Sequence, residues 1–128
     1  KKLSLNSILK KSDIISIHLP LNNKTNCLLN DKNLISLKKS AIVINTARGE
    51  IVDEKFLLSM LKQNKIISAG FDVYEKEPIL KPEFYKLKNV VLLPHIGSAT
   101  VEARNNMSLL AAKNVIAVLS GKRAITPV

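Results

Sequence analysis

Residues 41–54 read AIVINTARGEIVDE. Ala41–Ile44 are apolar and mostly β-branched, the pattern of a short strand buried on both faces. Thr46, Ala47, Arg48 and Gly49 interrupt the run, and Asp53 offers a side-chain cap for the helical period of 52–64, where Phe56, Leu57, Met60 and Leu61 share one face. A buried strand feeding a helix through a short loop is half of a parallel βαβ unit. The fixed positive charge of Arg48, just beyond the strand, is either a solvated loop residue or a group aimed at an anion.

The same alternation extends in both directions. DIISIHLP (13–20), IISAGFDV (66–73) and VVLLP (90–94) read as three further strands, and NDKNLISLK (30–38) as a helix after an Asn-Asp start. SATVEARNNMSLLAAKNVIAVLSGK (98–122) reads as a long closing amphipathic helix, with Met107, Leu110, Ala111, Val115 and Val118 on one stripe and Gly121 beyond its end. Strands joined by helices predict an α/β fold, a parallel sheet with helices on both faces and right-handed crossovers. The proline-bearing stretch 75–89 stands out as a long loop of the kind that carries function.

With 128 residues, 46% of them hydrophobic, the chain can build one modest core. The single cysteine, Cys27, rules out an internal disulfide and lacks the neighbours of a zinc site, so no metal is expected and a reducing, cytoplasmic setting fits. No stretch has the ~20 continuous apolar residues of a membrane span, and no membrane partner is expected. The net charge of +10 raises the alternative of a basic nucleic-acid module, but 17 of the 20 cations are scattered lysines and only 4% of residues are aromatic, which argues against a nucleic-acid partner.

In open α/β sheets ligands bind at the carboxyl ends of the strands. Those ends supply His18 and Pro20, then Asn45, Thr46 and Arg48, then Asp72, Glu75 and Glu77, then His95, Gly97 and Ser98. Cation, carboxylates and histidine therefore gather at one rim.

HLPLNNKT (18–25), INTARGEIVDE (44–54), AGFDVYEKEP (69–78) and LLPHIGSAT (92–100) together resemble the D-isomer-specific 2-hydroxyacid dehydrogenases, in that family's order and spacing. The stretch 94–122 most resembles the glyoxylate and hydroxypyruvate reductases. The resemblance implies the second half of a Rossmann-type NAD(P)-binding domain, with Arg48, Glu77 and His95 as the catalytic set. It also implies contacts to the nicotinamide half of the cofactor from Leu19, Pro20, Thr25, Thr46, Ala47 and Gly97, and to the carboxamide from Asp72, which has a turn-forming reading as well.

The chemistry suits these residue types. A guanidinium offers a 2-keto acid's carboxylate planar, bidentate donors. Hydride arriving at the keto carbon requires a proton for the oxygen, a task for histidine, and a carboxylate can orient that ring. By spacing alone Glu75 competes with Glu77; the family pattern places the role on the residue before Pro78.

None of the four glycines forms the Gly-rich phosphate loop of a dinucleotide site. Residues 1–128 are therefore expected to be a partial NAD(P)-binding domain, the C-terminal part of a longer enzyme whose Gly-rich half and substrate domain lie elsewhere. Alone it is expected to be inactive. The resemblance leaves NAD or NADP open, leaning to NADPH, and implies a small 2-keto acid substrate and a homodimer for the full-length enzyme. A non-enzymatic, dehydrogenase-like corepressor is the remaining alternative.

Overall fold

Four strands, β1 (Ile14–Ile17), β2 (Ile42–Asn45), β3 (Ser68–Phe71) and β4 (Val90–Leu92), form one sheet in the order β1-β2-β3-β4. All three pairings are parallel, with Val43 opposite Ile15 and Ala69, and Phe71 opposite Asn45 and Leu92. The strands fall where the β-branched runs predict them. This computed structural model describes residues 2–127, so Lys1 and Val128, the two ends of the predicted partial domain, lie outside the described residues. The chain divides into two compact units, one ending at His95 and the other beginning at Ile96.

In the first unit α1 (Leu5–Lys11) precedes β1, α2 (Asp31–Leu34) joins β1 to β2, and α3 (Glu54–Lys62) joins β2 to β3. Asp53 caps α3 as expected, accepting the Phe56 N–H at 2.9 Å. The helix buries Leu57, Leu58, Met60 and Leu61, leaving Phe56 half-buried at the margin of that face. α2 is shorter than the helical period of 30–38 predicts. Asn33 accepts the Asn30 N–H and donates to the Leu28 carbonyl, and the Ser36 hydroxyl donates to the Asn33 carbonyl. These local side-chain bonds replace the backbone ladder of a longer helix.

Ile15, Ile17, Val43, Ala69 and Phe71 point to one side of the sheet and pack with Leu9, Leu34, Leu57, Leu58 and Leu61 into a single core. Helices on both faces were expected; in this unit they cover one. Each connection steps one strand in the same direction, so right-handed crossovers place every connecting element on the same side. The opposite side bears Ile42, Ile44, Gly70 and Val91, which line an open trough of about 460 Å³.

In the second unit α4 (Val101–Leu119) starts at Thr100, whose hydroxyl accepts the Ala103 N–H at 3.1 Å. It stops at Gly121, which adopts φ 72°, while the Lys122 N–H closes on the Ala117 carbonyl at 2.9 Å. The tail is tied to the helix by Asn114, which donates to the Thr126 hydroxyl and accepts the Thr126 N–H. None of the α4 residues is buried. The amphipathic expectation holds only in part, because Leu109 and Ile116 lie opposite the stripe formed by Met107, Leu110, Ala111, Val115 and Val118 and are also exposed.

Candidate functional site

The end of β2 is shaped by Asn45, which is 1% exposed. Its Nδ2 donates to the Arg48 carbonyl at 2.9 Å and its Oδ1 accepts the Ala47 N–H at 3.1 Å, turning Thr46–Arg48 out of the strand. Arg48 is exposed and its Nη1 donates to the Ala47 carbonyl at 2.6 Å. Gly49 follows, buried. A Cβ built there would collide with the backbone of Tyr74 and Glu75, so only glycine lets the arginine loop lie directly against the segment that leads to Glu77.

That segment leaves β3 at Asp72, which is buried and whose N–H donates to the Asn45 carbonyl at 3.0 Å. The Tyr74 N–H donates to Glu77 Oε1 at 2.9 Å, and Glu77 Oε2 lies 2.6 Å from His95 Nδ1. An ionised carboxylate only accepts, so the Nδ1–H donates and Nε2 is the ring nitrogen turned to other partners. The Tyr74 hydroxyl donates to the Leu93 carbonyl at 2.8 Å, so one residue braces the backbone on both sides of the Glu77–His95 pair. His95 sits at φ 55°, a left-handed conformation that costs a non-glycine residue and persists where surrounding contacts hold it.

Partial burial disfavours the Glu77 carboxylate, yet its bonds from His95 and the Tyr74 N–H, with the charge of Arg48, hold its pKa below the ordinary carboxylate value. Glu77 and His95 thus meet within the first unit, with the charge of Arg48 near enough to act on the carboxylate. Glu75, the competing carboxylate, is engaged by Lys81 instead, and that bond holds its pKa low as well.

A carboxylate whose pKa is depressed by folding stabilises the fold fully above its unfolded value of ~4.3 and loses that contribution as pH falls through the folded value. Acid should therefore lower the urea midpoint of the chain below about pH 4.5, and Glu77→Gln should make the decline shallower. An unchanged slope in Glu77→Gln would show that the pair contributes nothing to stability.

Of the residues expected around a cofactor, Leu19, Pro20, Thr46 and Ala47 line one open cleft of about 610 Å³ together with His18 and Arg48. Asp72 lies elsewhere, on the trough along the opposite sheet face, which it shares with Thr46. The Thr25 hydroxyl donates to the Pro20 carbonyl at 2.6 Å and accepts the Asn22 N–H, so it shapes the loop that presents Leu19 and Pro20. Gly97 belongs to the second unit, in a turn where the Ala99 N–H donates to the Ile96 carbonyl at 3.0 Å. Among the described residues no group of His, Cys, Asp and Glu could hold a metal ion, and no helix is long and apolar enough to cross a membrane.

A parallel sheet of this order, with an arginine and a carboxylate–histidine pair at its carboxyl rim, defines part of a Rossmann-type dinucleotide-binding domain. A family profile described as D-isomer specific 2-hydroxyacid dehydrogenase, NAD binding domain, matches residues 1–97. The chain belongs to this family. It is 51% identical over 116 residues to a glyoxylate reductase of Thermococcus litoralis, covering 91% of this chain and 35% of the relative. It is 46% identical over 119 residues to a glyoxylate/hydroxypyruvate reductase B of Erwinia tasmaniensis, covering 92% and 37%. Among solved structures, an NADPH-dependent glyoxylate/hydroxypyruvate reductase of Sinorhizobium meliloti, in complex with NADP and malonate, superposes with a TM-score of 0.94 at 36% identity, covering 98% of this chain and 39% of that one. The chain thus spans little more than a third of the length of these relatives.

Proposed function

We propose that the chain is the proton-transfer part of an NAD(P)-dependent D-2-hydroxyacid dehydrogenase that reduces a small 2-keto acid. The names of the similar reductases support glyoxylate or hydroxypyruvate as substrate, and the NADP-bound relative supports NADPH. The observation that carries the reading is the 2.6 Å contact of Glu77 with His95, with Arg48 near enough to bias the carboxylate's ionisation.

The cleft suits the nicotinamide half of a cofactor: its walls are the apolar Leu19, Pro20 and Ala47, with the Thr46 hydroxyl at the edge. A bound nicotinamide would supply the hydride. Arg48 grips the substrate carboxylate with two parallel N–H donors, which orients the keto group. His95 delivers a proton from Nε2 to the keto oxygen as charge develops there, and Glu77 fixes the ring and favours its cationic form. The family resemblance alone assigns Asp72 to the carboxamide, and Thr25 and Gly97 to the nicotinamide half.

Reduction of glyoxylate by the full-length enzyme tests the reading through Arg48→Lys. The charge survives and the planar fork is lost, so KM for the keto acid should rise roughly 10-fold or more with a smaller change in kcat. Unchanged KM would remove Arg48 from the substrate site.

A further inference from the structure

We propose that Glu54 is a positioning residue for the Glu77–His95 pair, acting through the backbone of the β3–β4 loop; the proposal rests on the function assigned above. Glu54 opens α3 yet is only 4% exposed. Charge at a helix N-terminus is favourable without burial, so helix stabilisation alone does not explain why this carboxylate is withdrawn from water. Burying it is costly unless it is paired and hydrogen-bonded.

Its two oxygens show what it is paired with. Oε1 accepts the Glu75 N–H at 2.5 Å, and Oε2 accepts the Lys81 ammonium at 2.9 Å. Lys81 also bonds the Glu75 carboxylate, closing a three-residue clamp. Partial burial opposes the lysine's charge, but the two carboxylates outweigh it and push its pKa up. The clamp pins the loop at Glu75 and at Lys81, on either side of Glu77. Fixing the Glu75 peptide also fixes the Tyr74–Glu75 backbone, on which Gly49 packs and from which the Tyr74 N–H reaches Glu77. Glu54 therefore sets where the Glu77 carboxylate meets His95, although it touches neither.

The test uses glyoxylate reduction by the full-length enzyme. Glu54→Met keeps the volume and loses both acceptors. A loosened pair should lower kcat roughly 10- to 100-fold, the cost of a misplacement on the order of 1 Å, with a smaller change in KM for the keto acid because Asn45 also holds the Arg48 carbonyl. Glu54→Gln restores one acceptor for the Glu75 N–H and should recover part of kcat. If Glu54→Met fails to fold, Lys81→Met, whose side chain reaches solvent, carries the same expectation. Wild-type kcat in these variants, or a rise in KM alone, would overturn the proposal. If His95→Ala abolishes turnover while the clamp variants keep it, only the clamp falls; if His95→Ala also retains turnover, the assigned function falls with it.

Discussion

In the full-length enzyme, His95→Ala is expected to lower kcat for keto-acid reduction by roughly 10²- to 10⁴-fold at every pH tested, the usual contribution of a positioned general acid. The other histidine of the chain, His18, bonds the Ser16 hydroxyl at 2.7 Å, two residues back on β1, rather than a carboxylate. Glu77→Gln should cost less, because an amide can still accept the Nδ1–H while the charge that favours the imidazolium is gone. Its effect should concentrate on the alkaline side of the kcat/KM profile, where a weaker hold on the proton is felt first. Single-turnover measurements separate chemistry from product release. A His95→Ala enzyme with a chemical step within about threefold of wild type would show that the proton comes from another group and that the carry-over onto His95 is wrong.

Strand positions were legible because four short β-branched runs, each bounded by turn residues, have no competing helical period. The sheet order then follows from the parallel, short-crossover rule, and four strands laid down in one direction put the connecting helices of the first unit on one face. α1 is not legible in the sequence because Leu5, Ile8 and Leu9 give too few apolar positions to establish a period, and the helix depends on the Ser4 cap and the burial of Leu9. The strand ends named Arg48, Glu77 and His95, but only the contact between Glu77 and His95 separates Glu77 from Glu75 geometrically. Tyr74, Asn45 and Glu54 carry the framework of the site and were not assigned that role in the sequence. VDEKF reads as an ordinary acidic helix start, and nothing local announces that its glutamate is buried under a loop more than twenty residues away. The motif match marks Thr25 only as a residue shared with the family, and the structure adds that its hydroxyl closes its own loop.

The largest effect on stability should come from Phe84, which lies in the β3–β4 loop and is 0% exposed. Its ring meets Phe71 edge-on at a centroid distance of 5.0 Å and Tyr74 at 5.6 Å, so a loop residue completes the core beneath the last strands. Phe84→Ala would remove a buried aromatic ring and leave a cavity, with an expected loss of about 3–5 kcal/mol. Against the ~5–15 kcal/mol that holds a typical domain together, such a loss brings the variant close to unfolding at room temperature. Phe84→Leu, which refills most of the space and loses the edge-on contacts, should fall between. Urea titration of the 128-residue chain gives both values. The consequence reaches the site, because Tyr74 leans on Phe84 while its N–H holds Glu77 and its hydroxyl holds the Leu93 carbonyl two residues before His95. Destabilisation and a weakened Glu77–His95 pair should therefore appear together in Phe84→Ala, with the acid dependence of stability flattened toward that of Glu77→Gln. A loss below about 1 kcal/mol would mean that the loop is not part of the cooperative core, and the rigid presentation of Glu77 would have to come from the Glu54–Lys81 clamp alone.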